Sequence, residues 1–264
     1  MTGVEWDIAA LLFGVAVVAG CFDAIAGGGG LITVPALILA GLDPVTAIAT
    51  NKVQGSAGAI SATVAFARRG LILWRTALPV ALVAVLASMV GALSISRVPT
   101  DILSALIPIL MIAIAVYFAS APRMRDEDAR ARMPLLAFTL LIVPLVAFYD
   151  GVFGPGAGSF YMVGFVTLLG YGVTRGTAHT KLANAASNVG SLALFALSGD
   201  VLWPLGLVMA CGAFLGAQAG SALAIRFGAR LIRPLLVVIS CLMAVRLLSD
   251  AENPLRRAVT DMLS

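Results

Sequence analysis

The chain has 264 residues, 61% of them hydrophobic and only 11% charged, with a mean hydropathy of +1.04. An ordinary soluble domain carries about 25% charged residues, so this composition excludes a water-soluble globule and specifies a polytopic membrane protein. The net charge of +4 comes from 17 Lys and Arg against 13 Asp and Glu. Most arginines sit in short loops between apolar runs, which is the pattern of cytoplasmic loops and argues for a lipid bilayer, not nucleic acid, as partner.

In chain order the apolar runs fall at about 7–22, 30–41, 44–67, 72–96, 101–120, 133–150, 158–170, 173–198, 202–226 and 231–248. The first is flanked by Glu5 and Asp7 and by no Lys or Arg. It lacks the basic flank of a signal peptide and reads as a retained membrane segment. Spanning a bilayer takes about 20 apolar residues. The run 30–41 reaches only about 18 Å at about 1.5 Å per residue, and 158–170 is similarly short. Both read as half-helices. Cys21, Cys211 and Cys241 are far apart in apolar stretches and act as small hydrophobes.

The soluble stretch "RMRDEDARAR" divides the chain into an N-terminal membrane repeat (1–122), a cytoplasmic linker (123–132) and a C-terminal membrane repeat (133–264). Asp23 to Lys52 aligns with Asp150 to Lys181, with two extra residues in the second copy. From there the offset is constant at 129, pairing Lys52 with Lys181, Gly70 with Gly199, Trp74 with Trp203 and Gly91 with Gly220. Arg68, Arg69 and Arg75 put the 68–75 loop in the cytoplasm, whereas its partner around 199–202 has Asp200 and no base. Arg226, Arg230 and Arg233 do the same for 226–233, whose partner 97–101 has only Arg97. Equivalent loops on opposite sides define an inverted-topology repeat. The expected fold is therefore an all-α polytopic membrane protein of two inverted-topology repeats, about five membrane segments each, with broken or half-helices at Gly-rich motifs. Both termini fall outside the cytoplasm, although Arg256 and Arg257 weigh against that for the C-terminus.

The glycine clusters are "DAIAGGGGLITVPAL" at 23–37 and "DGVFGPGAG" at 150–158. Four glycines inside a helix cost roughly 4 kcal/mol relative to alanines, at about 1 kcal/mol each. In lipid, unwound backbone is tolerated only where it lines a cavity or is buried in protein. Half-helix N-termini with free N–H groups favour an anion. Close helix packing is the alternative use of such residues. Neither cluster has the spacing of a phosphate loop or a dinucleotide fingerprint.

Lys52 and Lys181 each lie about eight residues into their helices, where a lysine costs roughly 2.5–3.5 kcal/mol on insertion scales. Lys181, Asn184, Asn188 and Ser191 fall at i, i+3, i+7 and i+10, one polar stripe on a helix face. With Asn51, Gln54, His179 and Thr180 they make a donor-rich, cationic pocket suited to a small anion. The glycine breaks contribute Gly28, Gly29, Gly30 and Gly156 to the same candidate binding set. Asp23, Asp150 and His179 are the candidates for coupling to protons. The two acids are equally placed to cap a half-helix or to pair with a lysine. No nucleophile–base set, metal-ligand spacing or cofactor motif stands out, so the chain reads as a non-enzyme.

These two motifs, with "ATNK" and "AHTKLANAASN", resemble the TauE/SafE family of membrane permeases, the sulfite exporter family, over nearly the whole chain. Within it they are similar to bacterial inner-membrane permeases with Asp before the glycine run. Gly27 to Gly30, Pro35, Asn51 and Lys52 match the first motif; Gly154, Pro155, Gly156, His179, Lys181, Asn184 and Asn188 match the second. The resemblance implies export of sulfite or of organosulfonates such as sulfoacetate. A permease or channel for another small solute, a carboxylate or metal cation, and a non-transporting membrane scaffold remain as alternatives.

Overall fold

The structure, a computed structural model, describes residues 6–95 and 126–249 together with the isolated helical positions 112 and 116. The described chain forms nine helices: α1 (Trp6–Ala26), α2 (Gly30–Leu39), α3 (Pro44–Arg68), α4 (Trp74–Leu93), α5 (Leu135–Val152), α6 (Ala157–Thr167), α7 (Val173–Ser198), α8 (Trp203–Phe227) and α9 (Ala229–Ser249). The segment expected at 101–120 and the termini fall outside the described residues, apart from those two positions.

Local chemistry sets most boundaries. Asp43 caps α3 by accepting from Val45 N and Thr46 N, both at 3.1 Å, and Pro44 occupies the first turn, where its missing N–H costs nothing. A π turn at Phe138–Ile142 opens α5 just before Pro144, which lacks the N–H that would continue the ladder. Left-handed glycines end α2 at Gly41 (φ 94) and α7 at Gly199 (φ 85).

Four helices, α1, α4, α5 and α8, are long and apolar enough to cross a membrane. They turn exposed leucines outward, among them Leu11, Leu82, Leu145 and Leu215, as lipid-facing surfaces require. The long helices α3 and α7 are too polar for lipid. Their Asn, Gln, Ser and Lys side chains are buried inside the protein instead, enclosed by the four apolar helices. The half-helices α2 and α6, of 10 and 11 residues, fold back beside α1 and α5.

Packing is reciprocal between the two halves. Gly212, Gly216 and Gly220 on α8 face the backbone carbonyls of Phe13, Val17 and Cys21 on α1. Likewise Gly91 on α4 faces the Phe148 carbonyl on α5, and Gly151 faces that of Ser88. Small residues permit the close backbone approach that drives helix association in lipid. The left-handed glycines Gly27, Gly41 and Gly70 recur 129 residues on as Gly156, Gly170 and Gly199.

Two ends can be told apart. At one, Thr174 Oγ1 donates to Asp126 (2.6 Å), Ala229 N donates to Asp126 (3.2 Å) and Gly172 N donates to Asp128 (2.8 Å). The stretch 126–133 is thus docked across the α6–α7 loop, with Arg68, Arg69, Arg130, Arg132, Arg175 and Arg226 in or beside the same loops. At the other end, the 40–43, 94–95 and 199–202 turns hold Asp43 and Asp200 and no Lys or Arg.

A side chain at Gly216 must push α1 away from α8, since its Cβ would overlap the Val17 carbonyl. Gly216→Val is expected to cost at least about 1–3 kcal/mol, the range for overpacking. Gly14→Ala, with nothing within 4 Å of the new methyl, is expected to cost nothing. Thermal unfolding of the two variants in detergent checks the contrast.

Candidate functional site

The two helix breaks meet in the interior. After α1 the chain turns through Gly27 (φ 73) and Gly28 (φ 122); after α5 it turns through Gly154 (φ 95) and Gly156 (φ 86). Only glycine adopts these conformations freely. The turns touch, with a Cβ on Gly158 falling 2.9 Å from Gly27 Cα. Ser159 Oγ donates to the Gly27 carbonyl at 3.0 Å.

Each break is held by a lysine from the other half. Lys52 Nζ donates to Asp150 Oδ1 at 2.7 Å and to the Asp150 carbonyl. Lys181 Nζ donates to Asp23 Oδ2 at 3.1 Å and to the Asp23 carbonyl. Both carboxylates have further partners. Asp23 Oδ1 accepts from Gly28 N and Gly29 N, both at 3.0 Å, at the entry to α2. Asp150 Oδ2 accepts from the Ser187 hydroxyl and from Asn188 Nδ2 at 3.4 Å. The acids expected either to cap or to pair thus do both at Asp23 and pair at Asp150.

This geometry corrects the expectation of a cationic pocket. The lysine side chains are 0% and 1% exposed, and neither lines the cavity described next. A buried ammonium is tolerated only when paired and hydrogen-bonded, and the acid that neutralises each lysine is the one preceding the opposite glycine cluster. The four groups sum to zero charge.

Between the breaks lies a narrow cavity that opens outward, about 440 Å³ when the open space at its mouth is counted. Its wall contains Asp23, Gly28, Gly29, Gly30, Asn51, Gln54, Asp150, Gly156, Gly158, Asn184 and Asn188. The N–H groups of Gly30 and Gly158 fall among the first-turn amides that have no acceptor within their own helix, and Gly156 N, in the turn before α6, donates to no carbonyl or side chain among the described residues. Gly30 and Gly158 lie in the first turns of α2 and α6, where the helix dipole adds partial positive charge. Each has a side-chain amide beside it. A methyl on Gly30 would sit 3.4 Å from Asn51 Nδ2, and one on Gly158 would sit 3.7 Å from Asn184 Nδ2. Both amides have their oxygens engaged: Asn51 Oδ1 accepts from Gln54 Nε2 (2.6 Å) and Thr33 Oγ1 (2.5 Å), and Asn184 Oδ1 accepts from Asn188 Nδ2 (3.1 Å). Their NH2 groups are left for the cavity. The lining therefore offers uncommitted donors around two carboxylates that are already bonded.

His179 and Thr180 do not join this set. His179 Nδ1 donates to the Arg175 carbonyl (3.0 Å), and Nε2 accepts from Leu73 N (3.2 Å). Its ring packs on Tyr171 and Phe165 near the arginine-rich end. Thr180 Oγ1 faces Met162 Sδ at 3.9 Å. Both face the helices packed against α7 instead of its cavity side. Three contributors escaped the sequence reading: Ser187 on Asp150, Thr33 on Asn51, and Tyr149, whose hydroxyl donates to the Pro155 carbonyl at 2.5 Å across the α5–α6 turn. Ser187 stands three residues after Asn184, a helical spacing that adds it to the polar stripe.

The profile of the family described as sulfite exporter TauE/SafE matches residues 12–247, which include both glycine breaks, both lysines and every wall residue. The chain belongs to the TauE/SafE sulfite exporter family. It is similar to a probable membrane transporter protein of a Sinorhizobium species, 50% identical over 97% of this chain and 98% of that one. A probable membrane transporter protein of Escherichia coli K12, YfcA, is 49% identical over 92% of this chain and 90% of its own. One from Haemophilus influenzae is 42% identical over 92% and 96%. No solved structure matches the chain. The TauE/SafE chain is a membrane transporter.

Removing one member of a buried pair strands the other charge, at a cost of about 3–5 kcal/mol. Lys52→Met is expected to destabilise the transporter by about that much, and Lys52→Met with Asp150→Asn to recover most of it. Thermal unfolding of the single and double variants in detergent measures the recovery.

Proposed function

We propose that this transporter is a secondary permease exporting a small sulfur-containing anion, sulfite or an organosulfonate such as sulfoacetate, across the bacterial inner membrane. It works by alternating access between two inverted repeats, with the cavity between the glycine breaks as the substrate site. The observation that carries this reading is the set of donors at the cavity wall: the first-turn amides of Gly30 and Gly158, the Gly156 amide, and Asn51 and Asn184 Nδ2. Donors without acceptors, at the positive ends of two half-helices, favour an oxyanion over a cation.

The reciprocal contacts support the inverted-repeat reading. Lys52 meets Asp150 as Lys181 meets Asp23, and α1 meets α8 as α5 meets α4. Substrate at the interface of such repeats, beside broken helices, is a recurrent transporter design. All-helical architecture suits an inner membrane, since outer-membrane proteins are typically closed β-barrels. The arginine-rich end faces the cytoplasm by the positive-inside bias.

For coupling, we assign the proton to Asp23 over Asp150 and His179. Asp23 lines the cavity with 17% of its side chain exposed, against 2% for Asp150, and its lysine bond is the longer of the two. His179 is outside the cavity.

Uptake of labelled sulfite and sulfoacetate into proteoliposomes tests the proposal, with empty liposomes as control. Saturable flux of at least one is expected, and Asn184→Leu, which removes a donor at the cavity wall, should raise KM about tenfold, the worth of one hydrogen bond of roughly 1–1.5 kcal/mol. A folded, purified protein that moves neither solute refutes it.

A further inference from the structure

The first half keeps a polar cluster where the second half does not. On the 129-residue register marked by Gly27, Gly41 and Gly70 against Gly156, Gly170 and Gly199, Thr33, Asn51 and Gln54 correspond to Met162, Thr180 and Ala183. The positions touch in both halves, since Thr180 Oγ1 lies 3.9 Å from Met162 Sδ as Thr33 Oγ1 lies 2.5 Å from Asn51 Oδ1. A weak sulfur contact and an alanine are therefore enough to hold the half-helix α6 against α7. The same job in α2 and α3 does not require three buried polar side chains, exposed by only 0%, 3% and 3%, each of which carries a desolvation cost.

Their hydrogen bonds point one way. Gln54 Nε2 donates to Asn51 Oδ1 at 2.6 Å and reaches Thr33 Oγ1 at 3.0 Å, the two oxygens lying 2.5 Å apart on the same side of the amide. Thr33 Oγ1 is also within 3.1 Å of the Gly29 carbonyl, at the base of the first glycine turn. With two donors aimed at Asn51 Oδ1, reversing that amide would set NH2 against NH2. Asn51 Nδ2 is thereby turned to the cavity beside Gly30, in the first turn of α2. Gln54 shares the cavity wall, but Thr33 is sealed behind it.

We propose that Thr33 is a positioning residue for substrate: with Gln54 it locks the Asn51 amide donor-side toward the cavity and fixes it against the N-terminus of α2. Recognition by the first half then depends on a side chain that never touches the anion. The inference rests on the anion-binding reading of the cavity and adds to it the residue that orients one of its donors.

The experiment is sulfite uptake by the full chain in proteoliposomes, with KM and kcat measured for wild type, Thr33→Met and Thr33→Ser. Met is the residue that the fold itself carries at the corresponding position, so the replacement is matched to the site. Thr33→Met is expected to raise KM about tenfold with kcat within about twofold, and Thr33→Ser, which keeps the hydroxyl, to recover most of the loss. Should Thr33→Met not fold, Gln54→Ala, matched to Ala183, is read in the same way. Unchanged KM in a folded variant, an equal KM rise in Thr33→Ser, or failure of both Thr33→Met and Gln54→Ala to fold overturns the positioning role while wild-type flux stands. Absence of saturable wild-type sulfite flux overturns the anion reading, and this inference with it.

Discussion

Two lysines buried in a membrane protein must each be neutralised, and the arrangement of the described interior follows from how that is done. Lys52 and Lys181 sit on the central helices of opposite halves, and each reaches the acid and carbonyl at the other half's helix break. The neutralising partner is thus never local. Neither half can bury its own lysine alone, so the pairs bind the halves together while they hold the breaks. Removing one charge leaves its partner stranded in a low-dielectric interior, which makes the pairs a specification of how the halves meet as much as a source of stability.

The glycines then serve two different needs. Gly27, Gly28, Gly154 and Gly156 take left-handed backbone that other residues resist, so the chain can stop one helix and start the next within the protein interior. Gly212, Gly216 and Gly220 have ordinary helical backbone and serve contact alone, seating α8 on the carbonyls of α1. Gly154 does both, since a Cβ there would lie 2.7 Å from Lys52 Nζ. The cavity is a consequence: where two glycine turns pass each other, no side chains fill the space, and amide hydrogens line it.

Much of this was legible in the residues. Composition and run lengths specify the helical membrane class, and the short runs after each glycine cluster correspond to the half-helices Gly30–Leu39 and Ala157–Thr167. The polar stripe of Lys181, Asn184 and Asn188 is buried as its spacing implies. What was not legible is which groups meet. Lys52 and Asp150 are 98 residues apart, and Lys181 and Asp23 are 158 apart, so no local spacing reports that the lysines are spent on the acids. His179 lies two residues from Lys181, yet a helix turns about 100° per residue, so it faces Leu73 and Tyr171 and not the cavity. Thr33 looked like an ordinary residue of an apolar helix, because its partner Asn51 is 18 residues on.

The central claim is that neutral donors, and not the buried lysines, hold the anion, while Asp23 carries the coupling proton, a state that Asn in its place mimics. The most direct test is the sulfite affinity of a purified Asp23→Asn/Lys181→Met double variant, measured by calorimetry against wild type. This change removes both charges of one pair and leaves the Asn oxygen able to accept from Gly28 and Gly29. The account predicts a dissociation constant within about threefold of wild type, well under 1 kcal/mol. A loss of more than about a hundredfold, close to 3 kcal/mol, in a protein that still folds would contradict it and return Lys181 to the substrate site.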